Sequence, residues 1–340
     1  MKIELISFVI PCFNEEGTIE EFYRRAIVLA NSMAPLRFEF LFVNDGSKDK
    51  TGDILNDLAA KNPCVKVLHL AQNRGHQIAL TAGMDHASGD VIATIDGDLQ
   101  HPPEIIRDMV EKIKEGYEIV HAQRLKRSDD TWFKRLTARG FYFFMRYFSG
   151  VQVIENCGDF RAFTKSVLVA VKSFRMPHRF LRGIFVQLGF RQCVVSYQSD
   201  VRFAGETKYS LFKMINLALD GALGFSAAPI RFIIWLSIVL WFVSLVHLVK
   251  ALIEFFIFKI TVPGWTSIIV LMFFFTGLIL FSIAIIGSYV GRIFVQGQNI
   301  PLYWLSDAKN IDFENINRHA GDLREVKLSQ QIINKRVKES

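Results

Sequence analysis

Two carboxylates and an amide stand within five residues in Asp96-Gly97-Asp98-Leu99-Gln100, and His101-Pro102-Pro103-Glu104 follows directly. Oxygen donors of this kind are the hard ligands that Mg²⁺ and Mn²⁺ prefer, which makes Asp96, Asp98 and Gln100 a candidate metal set. The same residues serve equally in a solvated polar turn, and a motif this short does not separate the two uses. Upstream, Ile92-Ala93-Thr94-Ile95 is apolar and β-branched and reads as a buried strand. Gly97 is expected to let the backbone turn tightly. Pro102-Pro103 is expected to end the strand and open a helix.

The elements that must position this stretch come before and after it. Leu5 to Pro11, Phe38 to Val43 and Val65 to Leu70 are short apolar runs that read as strands, and Tyr117 to Ala122 is a further one. Helical spacing runs from Thr18 to Met33, Thr51 to Lys61, after Gly75 to about Ala87, and Pro103 to Glu115. Strand and helix alternate, so an α/β fold follows, with a mostly parallel sheet and helices on both faces. Ligands of such sheets bind beyond the carboxyl ends of the strands. Pro11 to Glu15, Asn44 to Ser47, Asn73 to Gly75 and Asp96 to Gln100 all fall there. Four polar clusters on one edge favour a site over a set of unrelated turns. No Gly-x-Gly-x-x-Gly follows the first strand and no Walker lysine motif occurs, which disfavours a nicotinamide site and a P-loop.

The chain of 340 residues is 51% hydrophobic with a formal net charge of +7, and its length allows two domains or one domain and a membrane part. Cys12, Cys64, Cys157 and Cys193 are scattered without a Cys-x-x-Cys pair, so neither a zinc site nor a disulfide framework is indicated and a reducing compartment is expected. Met1-Lys2-Ile3-Glu4-Leu5 runs straight into a strand pattern without a secretory leader. The first half is therefore expected on the cytoplasmic side.

Val9-Ile10-Pro11-Cys12-Phe13-Asn14-Glu15-Glu16, Asn44-Asp45-Gly46-Ser47-Lys48-Asp49-Lys50-Thr51 and Asp96-Gly97-Asp98-Leu99-Gln100-His101-Pro102-Pro103-Glu104 together resemble the inverting glycosyltransferases of GT-A (Rossmann-like) fold. More narrowly they resemble the polyprenyl-phosphate glycosyltransferases, such as dolichol-phosphate mannose synthase and the bacterial undecaprenyl-phosphate glucosyltransferases. The likeness spans about residues 5 to 295. It implies that Pro11, Phe13, Glu15 and Asp45 bind the nucleotide-sugar, together with Asp96 and Gly97. It also implies that Asp96 and Asp98 form an Asp-x-Asp metal motif for Mg²⁺ or Mn²⁺, with Gln100 as a further contact and Asp98 in catalysis. Many transferases of this fold carry Asp where this chain has Asn44, which alters the hydrogen bonding available to the base.

Arg124, closing the fifth strand, and Arg127 suit a diphosphate because a guanidinium bonds oxygens bidentately. As loop charges they are equally compatible with plain solvation. Between Thr131 and Gly150 lie four basic residues, no acidic one and many aromatics, the mixture an interfacial helix uses at lipid headgroups. The chain offers no nucleic-acid module, so nucleic acid is not an expected partner. Asn156-Cys157-Gly158-Asp159-Phe160-Arg161 resembles the family's Gly-Asp-Phe-Arg segment, which implies that Asp159 lies near the acceptor. A phosphomonoester acceptor is largely dianionic at neutral pH, so Asp159 is free to orient the site instead of removing a proton. Arg202-Phe203-Ala204-Gly205-Glu206-Thr207-Lys208-Tyr209 resembles the family's Arg-x-x-Gly-Glu-Ser/Thr-Lys-Tyr loop. There Arg202 and Lys208 would hold donor or lipid phosphate, with Arg202 in catalysis.

From Leu211 to about residue 295 the sequence is largely apolar. Leu211 to about residue 230 reads as an amphipathic helix along the bilayer. Phe232 to Val249 has 18 residues and Thr266 to Gly291 has 26 without Asp, Glu, Lys or Arg. A span needs about 20 helical residues, so two transmembrane helices are expected, at about 232–257 and 266–291, joined as a hairpin through Pro263-Gly264. The resulting plan is a cytoplasmic catalytic domain over 1–210, a juxtamembrane helix over 211–230, the hairpin over 231–295 and a tail over 296–340 without assigned chemistry. Lys and Arg place both termini on the cytoplasmic face of the plasma membrane. The expected activity is transfer of a single sugar from a nucleotide-sugar, such as UDP-glucose, to undecaprenyl phosphate with inversion. The expected partners are that donor, the polyprenyl phosphate, the bilayer and, by resemblance, further copies of the chain. A processive polysaccharide synthase is an alternative, although its Gln-x-x-Arg-Trp motif is lacking. A non-enzymatic scaffold or lipid transporter is the other.

Overall fold

The computed structural model describes residues 2–125, 154, 157–177, 179–198, 228–257, 264–298 and 300–311. The interfacial helix expected over 131–150, most of the juxtamembrane helix expected over 211–230, and Arg127, Arg202 and Lys208 lie outside the described residues. The first elements are β1 (Leu5–Cys12), α1 (Ile19–Ser32), β2 (Arg37–Asn44), α2 (Thr51–Lys61), β3 (Val65–Leu70), α3 (His76–His86), β4 (Val91–Thr94), α4 (Ile105–Lys114) and β5 (Ile119–Arg124). Then come β6 (Cys157–Thr164), α5 (Lys165–Lys172), α6 (Leu181–Gln187), β7 (Gln192–Tyr197), α7 (Ala228–Phe256), α8 (Trp265–Gly297) and β8 (Leu305–Lys309).

The strands form one sheet in the order β7-β5-β6-β4-β1-β2-β3-β8. Only β6 and β8 run against the common direction, β6 between β4 and β5 and β8 along the outer edge of β3. The mostly parallel sheet expected from the sequence is thus present. Alternation in β2 shows how it is buried on both sides. Phe40 and Phe42 join Phe8 beneath α1, where Phe22 and Tyr23 meet them edge-on. Val43 points the other way, to Leu68, Ala79 and Ala82. Helices α1, α2 and α4 cover the first face, each with an apolar stripe at helical spacing, such as Ile106, Met109, Val110 and Ile113 in α4. Helix α3 covers the second face closely: a Cβ on Gly83 would stand 2.3 Å from Val9 Cγ1, which only glycine avoids.

The chain divides into two compact units, one holding the sheet and the other holding α7 and α8. In α8, Phe274–Gly297 is long and apolar enough to cross a membrane, and it is unburied. In α7 the described apolar stretch is the shorter Phe232–Val243, so the expected pair of spans is matched in length and composition by one helix among the described residues. The expected tail also changes character. Residues 305–309 form β8 and return the chain to the sheet, where Asn310 amide hydrogens reach the carbonyls of Ala59 and Val65 at 2.7 and 2.8 Å.

One buried polar group ties the strands together at their amino ends. Glu39 accepts from Ser7 Oγ, from Lys66 Nζ at 2.6 Å and from the N–H and hydroxyl of Ser88 at 2.8 and 2.7 Å. Burial works to raise its pKa, but these donors outweigh it and leave it below the ordinary 4.5. The ionised form is the one the fold favours, so its stabilisation is complete above 4.5 and is lost as pH falls through the lower folded value. Glu39→Gln is therefore expected to lower stability by about 2 kcal/mol at neutral pH. Thermal unfolding of the intact protein across pH checks this. The gap to the parent narrows in acid, and a pH-independent gap would contradict the assignment.

Candidate active site

Because β1 to β5 run the same way, their carboxyl ends share one edge, and the connecting loops are laced there by side chain-to-backbone bonds. Asn14, left-handed at φ 55°, accepts from the Lys48 N–H at 2.9 Å, and its own N–H donates to Ser47 Oγ at 3.0 Å. Glu15 N–H donates to Thr51 Oγ1 at 2.9 Å, while Thr18 Oγ1 donates to the Glu15 carboxylate at 2.8 Å. Asp45 is buried and accepts from the backbone N–H groups of Arg74 and Gly75 at 2.7 and 2.9 Å, clamping the loop after β2 to the loop after β3. Burial raises its pKa and those donors only partly offset that. Gly46 (φ 68°) fits the clamp because a Cβ would lie 2.7 Å from Asn73 N.

Beside the clamp is a cavity of about 720 Å³, lined by Phe13, Asn44 and Gly46 to Lys48 on one side and by Asn56, His69 to Asn73, Ser306 and Asp307 on the other. Asn44 has a structural use. Its Oδ1 accepts from Ser47 N–H and its Nδ2 lies 3.0 Å from His69 Nδ1, while His69 Nε2 lies 3.0 Å from Asn56 Oδ1. An amide donor at Nδ1 and an amide acceptor at Nε2 specify neutral imidazole protonated at Nε2, in keeping with the lowered pKa that burial gives His69.

The turn after β4 carries the acidic motif. Its left-handed residue is Leu99 (φ 62°) and not Gly97, so the tight turn expected at Gly97 is made two residues later. Asp98 accepts from the Gln100 backbone N–H at 3.0 Å and from its side-chain Nε2 at 2.8 Å, so Gln100 braces that carboxylate. Asp96 lies between two imidazoles, 3.5 Å from His76 Nε2 and 3.4 Å from His101 Nε2. Tyr197 Oη is 2.6 Å from His101 Nδ1 and fixes that ring. Burial would raise the Asp96 pKa, but the two histidines bring it below its ordinary value.

Asp159, on β6, is the second acidic pole. Thr94 on β4 pairs with Arg161 on β6, so the antiparallel register carries Asp159 toward Asp96 just beyond the end of β4. His76 Nε2 stands 3.5 Å from the Asp159 carboxylate as well, and Gln77 Nε2 donates to it at 3.0 Å. Arg182 donates through Nε and Nη2 at 3.3 and 3.2 Å, and Arg161, only 2% exposed, at 3.1 Å. Burial opposes the charge on Asp159, yet Arg182, His76 and Arg161 hold its pKa well below the ordinary range. Burial likewise opposes a charged His76, and Asp96 and Asp159 still lift it to about 9. A carboxylate held that low is a poor proton acceptor at neutral pH, which suits orientation better than general base catalysis.

Asp96, Asp98 and Asp159 therefore gather on one edge, with Phe13 and the cavity along it. Pro11 is buried in β1, Glu15 and Asp45 serve the loop lacing, and Arg124 closes β5 next to the bond from Leu125 N–H to Tyr197 O. Sequence reasoning passed over His76, Gln77, His101, Tyr197 and Arg182. His76 and Gln77 directly follow the polar cluster ending at Gly75, and that adjacency was the available signal. No group of three or more Cys, His, Asp or Glu side chains forms a cage among the described residues. Two neighbouring carboxylates with further ligands drawn from phosphates and water are nonetheless how Mg²⁺ is usually held in nucleotide sites, so the donor set fits a divalent cation.

The chain matches the family model described as Glycosyl transferase family 2 over residues 7–171. It is 39% identical over 312 residues to the uncharacterized glycosyltransferase YkcC of Bacillus subtilis (strain 168), covering 92% of this chain and 96% of that one. It is 39% identical over 300 residues to the SfII prophage-derived bactoprenol glucosyl transferase of Shigella flexneri (88% and 96%). It is 36% identical over 304 residues to the prophage bactoprenol glucosyl transferase homolog of Escherichia coli (strain K12) (89% and 99%).

Removing the charge at residue 159 strands the buried Arg161 guanidinium. Asp159→Asn is expected to cost about 3 kcal/mol of stability, whereas Asp98→Asn, at a half-buried turn position where the amide keeps an oxygen for the Gln100 donors, costs less than about 1 kcal/mol. Thermal unfolding of the two intact variants checks the contrast, and equal losses would contradict it.

Proposed function

The chain belongs to glycosyl transferase family 2, and from that premise we propose that it transfers one glucose from a nucleotide-sugar, such as UDP-glucose, to undecaprenyl phosphate with inversion. The observation that carries this reading is the pairing of an Asp96–Asp98 pole with an Asp159 pole across His76, beside a cavity of nucleoside size. The bactoprenol glucosyl transferases among its relatives support the lipid acceptor.

Asp96 and Asp98 would hold a divalent cation, Mg²⁺ or Mn²⁺, whose charge would neutralise the donor diphosphate. Phe13, with the loops laced by Glu15 and Asp45, receives the nucleoside. Arg124 and, from segments outside the described residues, Arg127, Arg202 and Lys208 supply cationic contacts for phosphate. Asp159 fixes Arg182 and Arg161 so that the acceptor pole keeps its shape. An oxygen of the lipid phosphate attacks the anomeric carbon while the bond from that carbon to the diphosphate breaks, and the electron pair leaves with the nucleoside diphosphate. No proton has to be removed, because the attacking phosphomonoester is already largely a dianion.

The lipid acceptor also gives the apolar helices a purpose. The chain leaves the sheet after β7 and rejoins it at β8, so any crossings of a bilayer in between must be even in number. With α8 long enough to cross, α7 makes the return, which supports the two-helix hairpin. Arg231 and Arg292, which flank the apolar stretches on the side of the sheet-forming sequence, favour the cytoplasmic face for the sheet and both termini.

Transfer of radiolabelled sugar from a panel of nucleotide-sugars into extractable lipid tests the proposal, using the intact protein with undecaprenyl phosphate and Mn²⁺. UDP-glucose is expected to label the lipid, and Asp98→Ala to cut the rate by about 100-fold or more with metal supplied. Undiminished transfer by that variant would overturn the metal role. Absence of metal-dependent nucleotide binding by calorimetry would favour a scaffold.

A further inference from the structure

The polypeptide that emerges from α8 packs along the outer edge of β3. Tyr303 Oη donates to Asp85 at 3.0 Å, Trp304 O accepts from Ala71 N–H at 2.8 Å, and the Trp304 ring lies 4.9 Å from the Arg74 guanidinium. Leu305 is buried among Val43, Leu68 and Leu70. Ser306 Oγ donates to His69 O at 3.2 Å, and Asp307 lies opposite His69 in the β3–β8 ladder. This register brings Ser306 and Asp307 into the wall of the cavity that the loops after β1, β2 and β3 enclose.

The chemistry of that wall is uneven. Asn44 and His69 satisfy each other, and Lys48 is cationic. Asp307 is the one carboxylate among the described lining residues, and its side chain is 49% exposed. It accepts from its neighbour Ala308 N–H and pairs with Lys309 at 2.8 Å, which leaves lone pairs for further donors. A nucleoside presents such donors, as ribose hydroxyls and as base N–H groups.

We propose that β8 is a working part of the nucleotide site, in which Asp307, supported by Ser306, accepts a hydrogen bond from the nucleoside of the sugar donor. This rests on the reading that the cavity receives that nucleoside. Asp307 is then a binding and specificity residue remote from the reacting atoms, supplied by chain that follows the apolar helices. Its loss raises the KM for the donor while kcat stays within about two-fold, since binding shared by ground and transition states sets KM.

Calorimetry of the intact protein with Mn²⁺ and UDP or GDP, whichever the parent binds, tests it on Asp307→Ala, Asp307→Asn and Phe13→Ala. Both Asp307 variants are expected to unfold with the parent and to bind about ten-fold more weakly, as loss of a charge-assisted bond implies. The 2′-deoxy and N-methylated nucleotides separate ribose from base: the analogue lacking the relevant donor binds the parent weakly and is insensitive to Asp307→Ala. Parent-like binding by both Asp307 variants with weakened binding by Phe13→Ala would overturn the role of β8 alone. Parent-like binding by all three would overturn the cavity assignment and this inference with it.

Discussion

Asp96, just past the end of β4, and Asp159, on the antiparallel β6, share one imidazole, and the rest of the site is arranged around keeping both ionised. Asp96 and Asp159 would repel each other at this range, and burial penalises each. His76 stands between them, His101 and Tyr197 steady the first, and Arg161, Arg182 and Gln77 steady the second. The cluster keeps its two acidic groups apart yet rigidly connected by placing cations on β6, α3 and α6, elements already fixed by the apolar core.

Much of the sheet was legible because its central strands are buried on both faces and so read as unbroken apolar runs. The bounds of β3 and α2 agree with the sequence reading, and β1, β2, α1 and α3 differ from it by a residue or so at either end. The strands that escaped notice have physical reasons to do so. Strand β6 carries the buried Arg161, whose guanidinium stacks 4.3 Å from the centroid of Phe185 and breaks the apolar pattern. Strand β8 (Leu-Ser-Asp-Ala-Lys) has little apolar character and is held by its ladder to β3, by Leu305 and by the Asn310 amide.

The acidic residues of the site were visible as types, since hard oxygen donors at strand ends announce themselves. Their division of labour was not. Asp45 reads as a ligand group in sequence and in the structure also clamps two backbone N–H groups, while Asn44 bonds His69 and Ser47. Arg182 lies in an otherwise largely apolar helical turn and becomes meaningful only when the register of β4 and β6 is known. A further consequence of the topology is that the cavity beside the loops after β1 to β3 is walled in part by chain that follows α8, so in sequence the apolar unit is an insertion between strands of the sheet.

The most direct test of the central claim, that this site joins one sugar to one phosphate-bearing lipid, is mass spectrometry of the lipid formed by the purified protein from UDP-glucose and undecaprenyl phosphate. The account requires a single hexose on each modified lipid, attached through its phosphate, with one nucleoside diphosphate released per lipid. Lipids bearing several sugars, or nucleoside diphosphate released with free glucose and unmodified lipid, would contradict it.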